Sequence, residues 1–509
     1  MSQVNSLSVV SSFKQKRVFI TGVTGFLGKA ILEKILSETP EVEQVYLLVR
    51  GNRQYTAHER CMRDVFDSSL FDVLRDKHGA GFQALIDKKV TVVAGELTDT
   101  LFGLPEAEFN QLAQSLDLII NSAASVNFRE AMDQALKINT LSLNNVVALT
   151  QRKTQGEPVK VLQISTCYVN GFNRGVMREE VVSPASGLIP RKDDDTYEID
   201  GVINLLNEKI ERIYQQHTQQ DKQQAKLVQL GIQQSQRYGW NDTYTFTKWL
   251  GEQLLIQALG KQNLTILRPS IIESAVSSPL PGWVEGVKVA DALIYAYAKG
   301  RVSIFPGEDS GILDVIPVDL VANSALMCSA QLFQQSSHYR IYQCCSGRLN
   351  PIRLKQFIDY VQQASLLQYK QLPKLFAKKP QDTFKTVSPK TFRLYMMALM
   401  GSTWVKTILG RLFGSKSAGR MMEKANTTAS LAMIFGFYTA PKYRFDSMQL
   451  EQLQARFSVI EQKQFNVKAD SFSWKVYLQQ IHLAGLHKYA LAGKPDLTQK
   501  AAQKQKQAA

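Results

Sequence analysis

The residues with the clearest chemical meaning are a tyrosine and a lysine four positions apart, Tyr244 and Lys248. In a helix this spacing puts both side chains on one face, where the lysine can lower the pKa of the phenol and the phenol can act as a general acid. Two further pairs have the same spacing: Tyr295/Lys299 and Tyr438/Lys442. The Tyr438/Lys442 pair contains Pro441, which is unfavourable inside a helix. The Tyr295/Lys299 pair follows the last expected strand of the sheet, which is the wrong chain order for a catalytic helix. The sequence therefore favours Tyr244 and Lys248 as the catalytic pair.

A hydroxyl that could share the work of Tyr244 stands at the end of a short apolar run, in the sequence Ile164-Ser165-Thr166. A polar group at the carboxyl end of a parallel strand faces the crevice where ligands bind. We predict that one of these two hydroxyls, of Ser165 or Thr166, donates a hydrogen bond to a substrate oxygen beside the Tyr244 phenol and so forms a two-donor oxyanion site; the alternative is a structural turn at the end of the strand. Alternation along the chain points Cys167 away from this site, so a covalent cysteine mechanism is disfavoured.

The glycine-rich segment TGVTGFLG, from Thr21 to Gly28, follows one apolar strand pattern and opens a helix pattern. Glycines at 22, 25 and 28 allow a tight turn and a close approach of the backbone to a pyrophosphate. The N-terminus of the helix then presents N–H groups and the positive end of its dipole to the phosphates. The segment predicts a dinucleotide-binding site.

The end of the second strand pattern indicates which dinucleotide binds. An acidic residue at this place would bind the ribose hydroxyls of NAD, but Arg50 occupies it, with Arg53 next along and Arg60 as a weaker candidate. A guanidinium group suits a 2′-phosphate, so we predict NADPH as the cofactor. In the segment NSAASVNF, the small residues Ala123 and Ala124 would let the backbone approach that cofactor. Asn139 would hold a water molecule or fix the backbone near the site.

Short apolar runs alternate with helix patterns through the first half of the chain, which predicts a doubly wound parallel α/β sheet of the Rossmann type. We expect a helix at Lys29–Glu38 that is amphipathic. The expected strands are Lys16–Ile20, Val45–Val49, Val90–Ala94, Asp117–Ile120, Lys160–Ile164 and Thr265–Leu267.

The domain organisation follows from two departures from this alternation. Residues from about 179 to 237 form an insertion, whose part from Tyr214 to Gln236 is expected to be an exposed helical excursion. After about residue 345 the pattern becomes mostly helical. We predict a reductase domain at 1–345 with substrate-binding segments at about 276–310, a helical domain at 346–492 and a polar tail at 493–509. Phe392–Phe413 would line an acyl tunnel, rest on a membrane or simply form an amphipathic core helix pair.

Composition narrows the class of protein. The net charge of +15 favours anionic partners, while 44% hydrophobic residues is ordinary for a globular protein. Five cysteines without a CxxC pair argue against a disulfide framework or a zinc site, and we expect no metal. Neither a secretory signal nor a spanning apolar stretch is evident, so a cytoplasmic location is expected, compatible with contact at the inner face of a membrane. No aromatic-basic motif supports nucleic-acid binding.

Eight motifs in this order resemble the alcohol-forming fatty acyl-CoA reductases, in particular their bacterial single-chain form: TGVTGFLG, LLVR, NSAASVNF, STCYVNG, YTFTK, RPSIIES, PGWVEG and DVIPVDLV. They span residues 17 to about 322. The resemblance implies an extended short-chain dehydrogenase fold with catalytic Thr166, Tyr244 and Lys248. It implies as partners long-chain acyl groups on coenzyme A or on acyl carrier protein, and it leaves the oligomeric state open.

The expected cofactor contacts are Thr21, Gly22, Thr24, Gly25, Phe26, Leu27, Gly28, Arg50, Arg60, Glu96, Leu97, Ala123, Ala124, Asn139, Lys248, Pro269, Ser270 and Ile271. One departure from the family pattern is Glu96, which stands where many relatives have aspartate near adenine. Three alternatives stay open. One is an enzyme that stops at the aldehyde. The second is a sugar-nucleotide epimerase or dehydratase, which Arg50 disfavours. The third is a non-catalytic NADPH sensor, which the intact Tyr244/Lys248 pair disfavours.

Overall fold

The structure is a computed structural model of the chain and describes residues 7–298, 304–334, 338–376 and 442–494. It also describes the short pieces 378–380, 385–388, 390–392, 394–395, 397–398 and 436–439. Three predictions therefore lie wholly or mainly outside the described residues: the role of Lys299, the helix pair at 392–413, and the end of the polar tail.

The helices of the described residues are α1 (Val9–Phe13), α2 (Phe26–Glu38), α3 (Ala57–Cys61), α4 (Asp72–His78), α5 (Phe82–Lys89), α6 (Glu106–Ser115), α7 (Met132–Leu136), α8 (Leu143–Arg152), α9 (Asp200–Gln216), α10 (Gln220–Tyr238), α11 (Thr243–Asn263), α12 (Val289–Ala298), α13 (Val318–Leu332), α14 (Leu354–Gln368), α15 (Met448–Gln454), α16 (Val459–Gln464), α17 (Trp474–Val476) and α18 (Leu483–Gly485). A π-helical turn at Lys137–Leu141 precedes α8, and two more, Tyr477–His482 and Leu486–Ala490, flank α18.

The strands are β1 (Arg17–Thr21), β2 (Gln44–Val49), β3 (Val90–Ala94), β4 (Leu118–Asn121), β5 (Lys160–Ile164), β6 (Gly175–Met177), β7 (Leu264–Pro269), β8 (Ile271–Glu273), β9 (Ile304–Pro306), β10 (Val315–Pro317), β11 (Arg340–Cys344), β12 (Lys385–Val387) and β13 (Tyr443–Phe445). Seven of them form one parallel sheet in the order β11-β7-β5-β4-β1-β2-β3. The predicted Rossmann-type sheet is confirmed, and each expected strand lies within two residues of its predicted limits.

The central strands are buried because helices cover both faces of the sheet, as a parallel sheet requires. All four residues of β4 are buried, and so is every residue of β7. The prediction of an amphipathic helix after the glycine turn was wrong in one respect. Ten consecutive residues of α2, from Leu27 to Leu36, are buried, since α13 packs on it as well as the sheet.

The insertion between β5 and α11 is helical as predicted, but it is not simply exposed. Helices α9 and α10 bury Leu206, Leu230 and Tyr238 in a core that also contains Phe246 and Trp249 of α11. Periodicity in a glutamine-rich segment shows a helix without showing how its few apolar residues are covered. The insertion therefore supports α11 from one side.

The chain forms two compact units. Unit 1 contains the seven-stranded sheet and comprises Met1–Pro281, Ile316–Arg348 and Phe445–Ala469. Within it the buried carboxylate of Glu179 accepts backbone N–H bonds from Gln343 (2.8 Å), Leu450 (3.3 Å) and Gln449. Two of these donors lie in the first turn of α15, so one side chain fastens the returning segment to the sheet.

Unit 2 comprises Gly282–Val315, Leu349–Arg444 and Asp470–Ala509. In its described part, α14 packs against the helical stretch from Trp474 to Ala490, and β9 pairs in parallel with β12. Gly485 is required there, because a Cβ atom on it would lie 1.9 Å from the carbonyl oxygen of Gly282. The domain division near residue 345 stays a prediction. None of the helices in the described residues is long and apolar enough to cross a membrane.

Substituting Gly251 should test the packing of α11. Its Cβ position lies 2.5 Å from the backbone oxygen of Asn139, so Gly251→Ala must push two backbone segments apart. We expect a loss of about 1–3 kcal/mol in the free energy of unfolding, measured by denaturant titration. Gly201→Ala is the matched control, because a Cβ at this helical position meets nothing within 4 Å and alanine favours helix. Equal stabilities of the two variants would contradict the close packing.

Candidate active site

Most of the predicted site residues share one property: they follow the carboxyl ends of neighbouring strands in the parallel sheet. The segments concerned are Thr21–Gly28 after β1, Arg50 after β2, Glu96 and Leu97 after β3, Ala123 and Ala124 after β4, Ser165 and Thr166 after β5, and Ser270 and Ile271 after β7. Because parallel strands end at the same edge, residues from distant parts of the chain meet in one crevice.

The turn after β1 has the geometry that a pyrophosphate site needs. Gly22 has φ +71°, and a Cβ on it would lie 2.6 Å from the backbone nitrogen of Ala123. A Cβ on Gly28 would lie 2.3 Å from the carbonyl oxygen of Gly22. Gly25 is the N-cap of α2 and has no side chain to occupy the end of the helix. Thr24 lies in the turn, and Phe26 and Leu27 begin the helix. These residues fit a dinucleotide phosphate.

A chain of buried polar side chains joins the strand ends and was not predicted. The Thr21 hydroxyl donates to Asn121 Oδ1 at 2.5 Å, and Asn121 Nδ2 donates to Gln163 Oε1 at 2.8 Å. Gln163 Nε2 then donates to the carbonyl oxygen of Ile164 at 3.0 Å. Buried amides are costly unless paired, so this chain fixes the relative positions of β1, β4 and β5. The polar Gln163 inside an apolar strand was the available sequence signal.

Tyr244 lies in the first turn of α11, which Asp242 caps by accepting the backbone N–H of Thr245 at 2.9 Å. The Thr166 side chain lies close enough to the phenol to lower its pKa, and the Phe128 ring meets the Tyr244 ring edge-on at 5.7 Å between centroids. Burial, followed by the negative charge of Asp242, raises the pKa of Tyr244, while the Thr166 side chain opposes that rise. This direction is opposite to the lowering expected from the sequence. It keeps the phenol protonated and able to donate.

Lys248 lies one turn further along α11 and is buried. Its Nζ donates to the carbonyl oxygen of Ile164 at 2.6 Å, which joins it to the polar chain at the end of β5. Burial lowers the pKa of Lys248 to about 8, and the nearby Glu252 carboxylate partly offsets that effect. The lysine and tyrosine therefore share one helix face with Glu252, at successive spacings of four.

Glu252 is itself held by Arg268 in a fully buried ion pair. Arg268 Nε and Nη2 donate to the two carboxylate oxygens at 2.9 and 2.7 Å, and Nη1 donates to the carbonyl oxygen of Glu180 at 2.9 Å. The Cys167 thiol donates to the carbonyl oxygen of Arg268 at 2.9 Å. Arg268 thus connects the end of β7, the residue after Thr166 and the helix that carries Tyr244. Arg268 is the first residue of the motif RPSIIES, but the motif did not indicate that this side chain forms a buried ion pair.

Asn139 links the loop after β4 to α11. Its Oδ1 accepts the backbone N–H of Ser125 at 2.9 Å, and its Nδ2 donates to the Ser125 carbonyl at 3.1 Å and to the Thr247 hydroxyl at 3.0 Å. The side chain is therefore fully used in protein contacts and fixes backbone geometry, which is one of the two roles expected for it.

The predicted 2′-phosphate residues lie at the edge of the site. Arg50 Nη1 pairs with Glu96 Oε2 at 3.0 Å, and the Arg50 side chain is 66% exposed. Arg60, on α3, donates from Nη1 to the Arg50 carbonyl oxygen at 2.9 Å and pairs with Asp64 at 3.0 Å. Arg60 thus positions the Arg50 backbone. Leu97 packs against the sheet core, and its carbonyl oxygen accepts from Asn145 Nδ2 at 3.0 Å.

Two hydroxyl groups in the crevice are buried and have no hydrogen-bond partner among the described residues: those of Ser165 and Ser270. Ser165 precedes Thr166, and Ser270 follows Pro269 at the end of β7. Buried hydroxyls are normally satisfied, so both are suited to a bound polar ligand.

Fold and site together define a nicotinamide-dependent reductase of the extended short-chain dehydrogenase type. Residues 20–325 match the NAD-binding family model described as male sterility protein, and residues 402–492 match a second model with the same description. The chain is 30% identical over 96% of its length to fatty acyl-CoA reductase 2, chloroplastic, of Arabidopsis thaliana, covering 80% of that protein. It is 29% identical over 95% of its length to the alcohol-forming fatty acyl-CoA reductase of Simmondsia chinensis, covering 99%. The chain belongs to the fatty acyl-CoA reductase family and is an oxidoreductase.

Solved structures show the same fold at low sequence identity. The terminal R domain of the myxalamid PKS-NRPS biosynthetic pathway gives a TM-score of 0.58 at 16% identity, over 96% of this chain and 94% of that one. The reductase domain of a nonribosomal peptide synthetase from Mycobacterium tuberculosis gives 0.56 at 17% identity, over 95% and 93%. The predicted extended short-chain dehydrogenase fold is confirmed.

Removing the Glu252 carboxylate should test the buried ion pair. Glu252→Gln leaves the Arg268 charge buried without a counter-charge, so we expect a loss of about 3–5 kcal/mol in unfolding free energy. The control is Asp359→Asn, which breaks the exposed pair with Lys355 at 3.1 Å and should cost at most about 1 kcal/mol. Denaturant titration measures both. Similar losses in the two variants would show that the buried pair of Glu252 and Arg268 does not stabilise the packing of α11 on β7.

Proposed function

We propose that this protein reduces long-chain fatty acyl thioesters to fatty alcohols with NADPH, through an aldehyde. The proximity of the Thr166 and Tyr244 side chains, at the strand edge beside the glycine turn, is the observation that carries the proposal. Each reduction would take one hydride from one molecule of NADPH, so a second NADPH would have to replace the oxidised cofactor before the aldehyde leaves.

Thr166 and Tyr244 would bind the oxygen of the thioester carbonyl as negative charge develops on it. The hemithioacetal then expels the thiol and leaves an aldehyde, whose oxygen binds the same two groups. Tyr244 gives its proton to the alkoxide in the second reduction. The raised pKa of Tyr244 supports this role, because the acid must be protonated when the substrate arrives. Lys248 would hold the ribose of the cofactor and place a positive charge near the Tyr244 phenol.

The relatives support coenzyme A as the acyl carrier, since their names specify fatty acyl-CoA. Acyl carrier protein is an alternative donor with the same phosphopantetheine thioester. Alcohol rather than aldehyde as the product is favoured by the name of the Simmondsia chinensis relative. A non-catalytic sensor is disfavoured by the assembled Thr166, Tyr244 and Lys248.

Product stoichiometry tests the reaction. With palmitoyl-CoA we expect two NADPH consumed per free thiol and alcohol as the end product, measured by absorbance, thiol titration and gas chromatography. Tyr244→Phe should lower kcat by at least about a hundredfold while leaving NADPH binding intact, because only the proton donor is lost. One NADPH per thiol with aldehyde accumulating would show an aldehyde-forming enzyme. No turnover with either palmitoyl-CoA or palmitoyl-acyl carrier protein would contradict the proposal.

Arg50 tests the choice of NADPH. Arg50→Ala removes the guanidinium expected at the 2′-phosphate, and losing a charge-assisted contact of this kind should raise the KM for NADPH about 10- to 100-fold. The KM for NADH should change less than threefold, which makes NADH the internal control. A parallel rise in both constants would mean that Arg50 supports the loop and does not read the phosphate.

A further inference from the structure

The positive charge of the chain is concentrated in one stretch of sequence. Residues 366–444 hold fourteen Lys and Arg against two Asp and Glu, a net charge of +12 out of +15 for the whole chain. The proposed reaction in unit 1 uses none of these residues. All of them belong to unit 2, and the structure describes some of them.

A shallow, open cavity of about 660 Å³ lies on the surface of unit 2, between the C-terminal helical stretch and the end of α14 with the segment that follows it. Its lining residues are Gln368, Gln371, Leu372, Lys374, Gln480, Ala484, His487 and Lys488. The lining carries two lysines, a histidine and three glutamine amides, and it contains no carboxylate. Such a set of donors suits an anionic oxygen ligand such as a phosphate ester.

The surroundings of the cavity have the same sign of charge. The described segments 354–376 and 474–494 contain six lysines and a single acidic residue, Asp359, which pairs with Lys355 at 3.1 Å. Lys374 Nζ donates to the carbonyl oxygen of Ala492 at 3.1 Å, so its charge is held at the cavity without a carboxylate partner among the described residues. A ligand of negative charge would meet no repelling side chain in these segments.

Two leucines that precede the cavity residue Gln368 along α14 face solvent. Leu366 is 45% exposed and Leu367 is 79% exposed, and they directly precede Gln368, which lines the cavity. Scattered exposed leucines are common on protein surfaces. Exposed apolar side chains near several lysines can bind an anionic membrane, because the apolar groups enter the headgroup layer and the lysines attract the lipid phosphates.

We propose that one surface of unit 2 binds an anionic lipid bilayer. This leucine–lysine surface consists of Leu366, Leu367, Lys374, Lys488 and Lys370, the last of which is exposed and lies between Gln368 and Lys374 in the sequence. The leucines would enter the headgroup layer, and the cavity would take a lipid phosphate. A second copy of this chain fits less well, because it would bring the same positive charge. Nucleic acid would not use the exposed leucines. The inference does not rest on the proposed reaction, because lipid binding is measured without turnover.

Co-sedimentation of the purified full-length protein with vesicles tests the surface. We expect binding to vesicles of phosphatidylglycerol and phosphatidylcholine, little binding to phosphatidylcholine alone, and weaker binding at high salt. Each lysine near an anionic bilayer strengthens binding about fivefold, so Lys374→Gln with Lys488→Gln should weaken it about 25-fold. Leu367→Ser should weaken it at least about threefold by removing apolar burial.

Matched controls come from exposed residues of unit 1. Lys222→Gln with Lys226→Gln removes two exposed lysines of α10, and Ile460→Ser removes a side chain that is 77% exposed. Both should bind vesicles like the unmodified protein. The proposal fails if anionic vesicles do not bind the protein, or if the controls weaken binding as much as the test variants. It also fails if Leu367→Ser instead dissociates a dimer in sedimentation equilibrium, which would assign the surface to a second copy.

Discussion

The position of helix α11 against the carboxyl edge of the parallel sheet is the constraint on which the site depends. This helix carries Tyr244 and Lys248, and its place is set by contacts that tolerate little change. Gly251 lets the backbone of α11 approach that of Asn139, and Lys248 reaches the end of β5. The insertion helices cover the opposite side with an aromatic core around Trp249. A shift of α11 would separate the phenol from Thr166, which is fixed on a different element.

Burial of charge explains much of the site's chemistry. Loss of solvation favours the neutral form of both Tyr244 and Lys248, which raises the pKa of the first and lowers that of the second. A buried arginine is tolerated only with a partner, and Glu252 supplies a bidentate one. The same carboxylate lies one turn beyond Lys248 and supports its charge. The interior thus holds both a structural ion pair and the phenol that the proposed reaction needs in its protonated form.

Fold, family and reaction depend on different features of the molecule. The likeness to solved reductase domains at 16% and 17% identity concerns the path of the backbone. Family membership comes from sequence identity over nearly the whole chain. The reaction depends on particular side chains, since one fold supports many activities. Unit 2 is an example of surface residues that do not determine the fold class. Its basic and apolar surface residues are not part of the seven-stranded sheet that defines that class.

The sequence alone determined the order of strands and helices, the glycine turn, and Tyr244 and Lys248, because local periodicity and short motifs carry that information. It also determined that Arg50, and no acidic residue, follows β2 directly. Only the tertiary structure joined Thr21 to Gln163 through Asn121, paired Glu252 with Arg268, and buried α2 on every side. These contacts join residues 16 to 100 positions apart. No local pattern specifies which distant polar groups must satisfy one another, because that is decided when the elements pack and exclude water.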